Sequence, residues 1–335
     1  MLAQTLSFCL RLLRLWGLLS LVKFGTAVDI PANVRDFYDA VRARGHCTNE
    51  LANGFYSSDG GPNSISPPQP HSHSRASLLT TPAFAYCGNY LGSGMIYIQG
   101  RNGALANMDV DCDGVQGGPA DDGRCRQALS PDYQNTTAFQ SILASYNRNI
   151  TDLNPYVHSY VVFGNTRSTH PSGWSTFDPT SQGMRPLSLM AVVCPDYRLV
   201  YGVWGDTNGD DGSKPMVGEA SLSLATVCGG SSVNGNSGID EDAVLYIGFT
   251  GEEAVPGPDG ADWAATSPGA FQDSLRSLGD RLVQRVHYVR TGRDGPSSMG
   301  RQLETVDAVR MMMAVIIVAG ILLWIRMIAM VAQSM

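Results

Sequence analysis

Short runs of aliphatic, aromatic and β-branched residues, each closed by a turn within a few positions, most constrain what this chain can fold into. Residues 95–99 alternate in polarity and lead to Gly100-Arg101-Asn102-Gly103, whose Asn-Gly pair favours a tight reversal into 104–110. Residues 156–163 form another such run. Residues 187–194, the turn Pro195-Asp196-Tyr197-Arg198 and residues 199–204 read as a hairpin, and 220–228 and 243–249 add two strands. Strands this short and this closely spaced predict a mainly β chain, a barrel or a sandwich. Helical patterns flank them. Val34, Phe37, Tyr38 and Val41 share one face after Pro31. Phe271, Leu275, Leu278, Leu282 and Val286 recur at steps of three and four after the cap Ser267-Pro268, so this helix should lie across the barrel. No internal repeat is present, which excludes solenoids and propellers.

The termini and cysteines point outside the cell. Arg11 and Arg14, an apolar run from Leu15 to Val22 and the small residues Gly25-Thr26-Ala27 read as an export signal over 1–27. Six cysteines then remain, Cys47, Cys87, Cys112, Cys125, Cys194 and Cys228, with no close pair spaced for zinc. They read as three disulfides, with fifteen connectivities open and a lean to sequential pairing. Asn135 and Asn149 head acceptor triplets for N-glycans. Residues 57–82 are crowded with Ser, Pro, Gly and His and form a loop insertion; His71 and His73 within it read as solvated rather than metal-binding. Beyond a linker at 291–310, residues 311–332 are apolar except for Arg326, long enough for a transmembrane helix. Two other readings of that tail stay open: removal after Ser297 or Ser298 for a lipid anchor, or a segment appended by a misassigned gene end.

Thirty acidic residues against 23 basic give a net charge of −7. That argues against nucleic acid as a partner and favours a cationic ligand. The chain has no Gly-x-Ser-x-Gly elbow, phosphate-binding glycine loop or His-Glu-x-x-His pair. Carboxylates remain, and paired carboxylates in an exported enzyme suggest glycoside hydrolysis. Two clusters qualify: Asp109, Asp111 and Asp113, and then Asp206, Asp210 and Asp211 followed by Glu219. Each begins like a calcium loop, but neither has an acid at position twelve, where Ala120 and Val217 stand. A plain Asp- and Asn-rich turn is the bland alternative for both.

The segment Trp204-Gly205-Asp206-Thr207-Asn208-Gly209, a short loop, and Gly218-Glu219-Ala220-Ser221-Leu222 then resembles the central motif of the fungal chitosanases of glycoside hydrolase family 75. Asn107 to Gly114, "HSYVVFGN" from His158, "GMRPLSLMAVVC" from Gly183 and "LYIGFT" from Leu245 agree in order, over about residues 30–286. The resemblance implies a double-psi type of β-barrel and endo-hydrolysis of chitosan with inversion. It also implies Asp206 and Glu219 as the catalytic acids. We take Glu219 as general acid and Asp206 as general base, since Asn208 and loop amides could hold Asp206 ionised. Residues 57–82 and everything after about 286 depart from the family pattern.

The expectation is therefore a single β-barrel-like catalytic domain over 28–290 with flanking helices, secreted or held on the outer membrane face by its tail. It would act as a monomer without cofactor or metal, on chitosan. Asp109, Asp111, Asp113, Asp210 and Asp211 would bind the protonated amines, Asn208 would also contact substrate, and Trp204, with Tyr201 and Trp174, would stack on sugar faces. A non-catalytic wall-binding protein and a calcium-dependent surface protein are the alternatives.

Overall fold

The hairpin expected at 187–204 is the seed of the structure. In the computed structural model, which describes residues 28–57, 83–127, 134–165, 173–209 and 214–287, strands β7 (Leu189–Val193) and β8 (Arg198–Asn208) pair antiparallel over five residues. The turn between them closes with Tyr197 N–H donating to the Cys194 carbonyl. From β8 the sheet passes to β6 (Tyr160–Asn165), β10 (Glu219–Ser221), β5 (Ala106–Asp111) and β11 (Ile239–Phe249), and β11 pairs back with β7. These six strands close into a barrel. Two of its junctions, β6–β8 and β5–β10, are parallel; the others are antiparallel. Strands β4 (Met95–Gly100), β3 (Phe84–Cys87), β2 (Glu50–Ser57) and β9 (Met216–Val217) extend the sheet from β11, and β1 (Val28–Asp29) pairs with β8.

Alternation along these strands divides the apolar side chains into two cores. Val161, Phe163, Met190, Val192, Val200, Trp204, Val244 and Tyr246 fill the lumen. Leu189, Ala191, Tyr201, Val203, Leu245 and Ile247 point outward, beneath helices α1 (Ala32–Arg44) and α4 (Pro268–Leu282), and Tyr160 also points outward; a short helix α2 (Gln140–Ser145) precedes β6. Most barrel positions are therefore buried on both faces, which is why the strands read as nearly continuous apolar runs. Helix α4 is capped by Ser267, whose hydroxyl accepts from Ala270 N–H, and it crosses β7 and β8 as expected. A methyl group at Gly279 would stand 2.5 Å from the Tyr201 ring, so only glycine permits this approach.

Several expectations need correction. Residues 220–228 are not one strand: after Ser221 the chain turns into helix α3 (Leu222–Gly229), with the Ser221 hydroxyl capping Leu224 N–H. A short run that is apolar on every side fits either element. Residues 156–159 are not strand: 155–157 form a turn, in which the Asn154 side chain accepts from Tyr156 N–H and its carbonyl from Val157 and His158. The chain does reverse at Asn102-Gly103, both with positive φ, but β4 and β5 do not form a hairpin; β11 lies between them. The hairpin β2–β3 was not foreseen, and the 57–82 insertion joins its two strands.

Pairing of the cysteines is sequential: Cys47–Cys87, Cys112–Cys125 and Cys194–Cys228. Among the described residues no helix is long and apolar enough to cross a membrane. The expected signal at 1–27, the linker at 291–310 and the transmembrane segment at 311–332 lie outside the described residues, as does most of the insertion.

His158 couples the barrel to α4. Its Nδ1 accepts from Asn154 N–H at 2.8 Å, its Nε2 faces the Trp263 carbonyl at 3.2 Å, and its ring meets Phe271 edge to face. Burial therefore holds the imidazole neutral, its pKa lowered to about 4. A depressed folded-state pKa gives stability that is present above pH 6.5 and lost as pH falls toward 4. With about 1.4 kcal/mol per decade, the loss across that window is about 3 kcal/mol. Asp152, raised by burial, acts in the opposite sense, so a variant isolates the histidine. His158→Gln should start less stable at neutral pH and show a visibly flatter fall in Tm between pH 6.5 and 4 than the parent chain; parallel curves would contradict this role.

Candidate active site

A one-residue irregularity in β8 places the first carboxylate. In the parallel pair β6–β8, Val161 lies opposite Trp204 and Val162 opposite Asp206, so Gly205 is an extra residue without a partner. Without it, Asp206 would follow Trp204 into the lumen, since residues two apart share a face. The bulge turns Asp206 to the outer face beside Val162. Glycine is required there: a Cβ at 205 would lie 2.5 Å from Leu153 Cδ1 and 2.6 Å from Tyr160 Cβ.

The second carboxylate is set by Gly218, whose φ of +97° redirects the chain from β9 into β10. Glu219 lies opposite Val162 on one side and Asp109 on the other. One row of the outer face thus reads Asp109, Glu219, Val162, Asp206. Adjacent strands are about 4.8 Å apart. Asp109 and Glu219 are one spacing apart, and Glu219 and Asp206 are two, with Val162 between them. Asp206 is buried, while Glu219 and Asp109 are partly exposed.

In the next rows the same outer face carries Asp111 and Asp113, since Met108, Val110 and Cys112 point inward. Carboxylate oxygens of Asp111, Asp113 and Asp206 lie within 4.8 Å of one another. The two acidic clusters, far apart in the chain, therefore meet in one site. Backbone amides serve each of the three. Asp113 N–H donates to Asp111 Oδ1 at 2.6 Å, Gln134 N–H to Asp113 Oδ1 at 2.5 Å, and both Thr207 N–H and Ala138 N–H to Asp206 Oδ1 at 2.7 and 3.1 Å. These contacts make a nest of N–H groups around negative charge, and we assign no metal to it. Tyr160 stands among these acids, its hydroxyl donating to the Asp113 carbonyl at 2.9 Å. Burial first, and then the charges of Asp111, Asp113 and Asp206, keep that phenol protonated. The disulfide Cys112–Cys125 ties down the turn that carries Asp113.

Other expected binding residues fall elsewhere. Trp204 is 1% exposed in the lumen, edge to face with Phe139, and its Nε1–H donates to the Asp206 carbonyl. It supports the acid from behind and presents no face to a sugar. Tyr201 lies under α4, donating to Asp280 Oδ1. Trp174 is half-buried. Asn208 does not hold Asp206: its Nδ2 donates to the Met216 carbonyl at 3.1 Å, closing the base of the loop that leads to Glu219. Asp210 and Asp211 lie outside the described residues. Gln134 and Ala138 were not foreseen, because they act through backbone N–H groups, which leave no mark in the residue type.

Residues 108–285 match the family model described as fungal chitosanase of glycosyl hydrolase group 75. An endo-chitosanase from Aspergillus fumigatus is 39% identical over 265 residues, 79% of this chain and 94% of that protein. Endo-chitosanase B of Aspergillus oryzae is 38% identical over 265 residues, again 79% and 94%. Endo-chitosanase C of Aspergillus oryzae is 31% identical over 182 residues, 53% of this chain and 38% of that protein.

The bulge makes a direct prediction. Gly205→Ala should lower Tm by several degrees and cost most of whatever catalysis Asp206 supports, because either Tyr160 or the bulge must shift. A folded Gly205→Ala protein with unchanged Tm and unchanged turnover would show that the extra residue does not place Asp206.

Proposed function

Since the chain belongs to the fungal chitosanases of glycosyl hydrolase group 75, a family of glycoside hydrolases, we propose that it is an endo-chitosanase that cleaves β-1,4 links between glucosamine units with inversion. Glu219 is the general acid and Asp206 the general base. The observation that carries this is the row on the outer face, where the two carboxylates are two strand spacings apart, about 10 Å between backbones. Side chains leaning over Val162 can bring the carboxyl groups into the 6.5–9.5 Å range that leaves room for a water.

The division of roles follows from surroundings. Two backbone N–H groups on Asp206 Oδ1 favour its charged form. Glu219 is partly exposed while Asp206 is buried, so Glu219 is the acid that can reach the leaving oxygen with its proton. The acid-lined face also suits the polymer, whose amines carry positive charge in mildly acid water. Asp109, partly exposed, is the acid best placed to bind an amine; Asp111 and Asp113 are buried and shape the field rather than touch sugar.

Three disulfides suit an oxidising compartment, and Asn135 and Asn149 are exposed, as N-glycan acceptors of a secreted protein would be. Secretion through a leader at 1–27 is part of this proposal.

Hydrolysis of soluble chitosan, with chitin and cellulose as controls, tests the reading. Asp206→Asn and Glu219→Gln should each lower kcat about 10²–10⁴-fold with Tm nearly unchanged, while Asp109→Asn should raise KM more than it lowers kcat. Full turnover in either of the first two variants would remove that residue from the mechanism. A folded parent chain inert on every polymer would sink the activity itself.

A further inference from the structure

A buried carboxylate outside the cluster of Asp111, Asp113 and Asp206 holds the segment that serves Asp206. Residues 134–138 form a strap across the acid cluster: Gln134 N–H donates to Asp113 Oδ1 at one end and Ala138 N–H to Asp206 Oδ1 at the other. Between them Thr137 is 4% exposed, and its hydroxyl meets Asp152. Its backbone N–H donates to Asp152 Oδ2 at 2.8 Å and its hydroxyl to Asp152 Oδ1 at 2.5 Å; Leu153 N–H donates to the same Oδ1 at 2.8 Å. Asp152 is itself 3% exposed. Next along the chain, Phe139 packs edge to face on Trp204, two residues before Asp206.

We propose that Asp152 is a positioning residue for Asp206, acting through Thr137 to aim the Ala138 N–H at the catalytic carboxylate. This rests on Asp206 being the base. Burying Asp152 is costly and pushes its pKa up, yet its carboxylate accepts only from the strap and from its own neighbour among the described residues. A residue needed only for packing would fill that space more cheaply as an apolar group. What the carboxylate provides is a two-point grip on one threonine, which fixes both the position and the rotation of the peptide that follows. Gly114 tightens the seat: a Cβ there would lie 2.2 Å from the Leu153 carbonyl and 3.2 Å from Thr137 Cγ2.

Loss of the grip lets the Ala138 N–H drift from Asp206. Thr207 N–H still serves Asp206 Oδ1, while Asp111 and Asp113 stand within 4.8 Å and the protonated Tyr160 lies among them. With one of its N–H donors lost beside these carboxylates, Asp206 is harder to ionise, so the base needs a higher pH to work. Thr137 is also the third residue of the glycan triplet at Asn135. That overlap supplies a control, since Asn135→Gln removes the acceptor and leaves the grip intact.

The test is the pH profile of kcat/KM on soluble chitosan for the full chain and for Asp152→Asn, Thr137→Val, Thr137→Ser, Asn135→Gln and Asp206→Asn. A hydrogen bond to a charged group corresponds to about one decade of pKa or more. Asp152→Asn and Thr137→Val should therefore shift the acid limb up by about one pH unit, lower kcat about tenfold at pH values below the limb and leave KM within about twofold. Thr137→Ser and Asn135→Gln should keep the limb of the parent. Stability itself falls between pH 6.5 and 4, so the folded fraction of each variant is followed by circular dichroism at every pH and the rates are divided by it; a destabilised variant then still reports. If Asp206→Asn is inactive while the limb stays in place in both grip variants, the positioning role is overturned and the proposed function stands. An active Asp206→Asn overturns the base assignment, and this inference with it.

Discussion

The extra residue at Gly205 decides which side of the barrel wall Asp206 occupies, and the site depends on that choice. In a strand of strict period two, the position after Trp204 and Gly205 belongs to the lumen, where a carboxylate would meet Val161, Phe163 and Tyr246 with no N–H group to receive it. One unpaired glycine moves Asp206 to the outer face, level with Val162 and in the row of Glu219 and Asp109. The glycine is held by what surrounds it, since Leu153 and Tyr160 leave no space for a Cβ. Both residues belong to the loop and strand that follow Asp152, so the segment that tolerates the bulge also braces the carboxylate it presents.

Concentrating acids on one face works against stability, and the fold offsets this locally. Carboxylates as close as Asp111, Asp113 and Asp206 repel, and burial strengthens the repulsion. Backbone N–H groups of Asp113, Gln134, Ala138 and Thr207 answer it. None of these donors can titrate, so the compensation persists across the mildly acid range in which chitosan amines are charged. Toward Asp109 and Glu219 the face opens, and both residues are partly exposed.

Much of this was legible in the sequence, for identifiable reasons. The hairpin β7–β8, the strand β11 and helix α4 carry long apolar runs with clean turns or caps, and they were foreseen. Strand β2 was not: Asn53-Gly54 interrupts it, and its pairing with β3 shifts register on either side, so no period of two exists to be read. Helix α3 was missed because residues 222–229 are apolar on nearly every side. Asp206 and Glu219 were named through a family resemblance, not through geometry. Nothing in the residue types shows that Gly205 is a bulge, or that the two acidic clusters meet. Trp204 reads naturally as a sugar platform, and only its place in the lumen reveals a structural role. Backbone donors such as Ala138 N–H are invisible in any sequence.

Two carboxylate pairs share the open row, and they imply different chemistry. Asp109 and Glu219, one strand apart, suit the short separation of about 5–5.5 Å at which the second acid attacks the sugar directly; Glu219 and Asp206, two strands apart, leave room for a water. The anomer released first by cleavage of a glucosamine oligomer, followed by proton NMR before mutarotation, separates the two. The α-anomer should appear first if Asp206 activates a water across Val162. Initial release of the β-anomer would mean a covalent intermediate on the Asp109 side, and would contradict the central role given to Asp206 and the bulge that presents it.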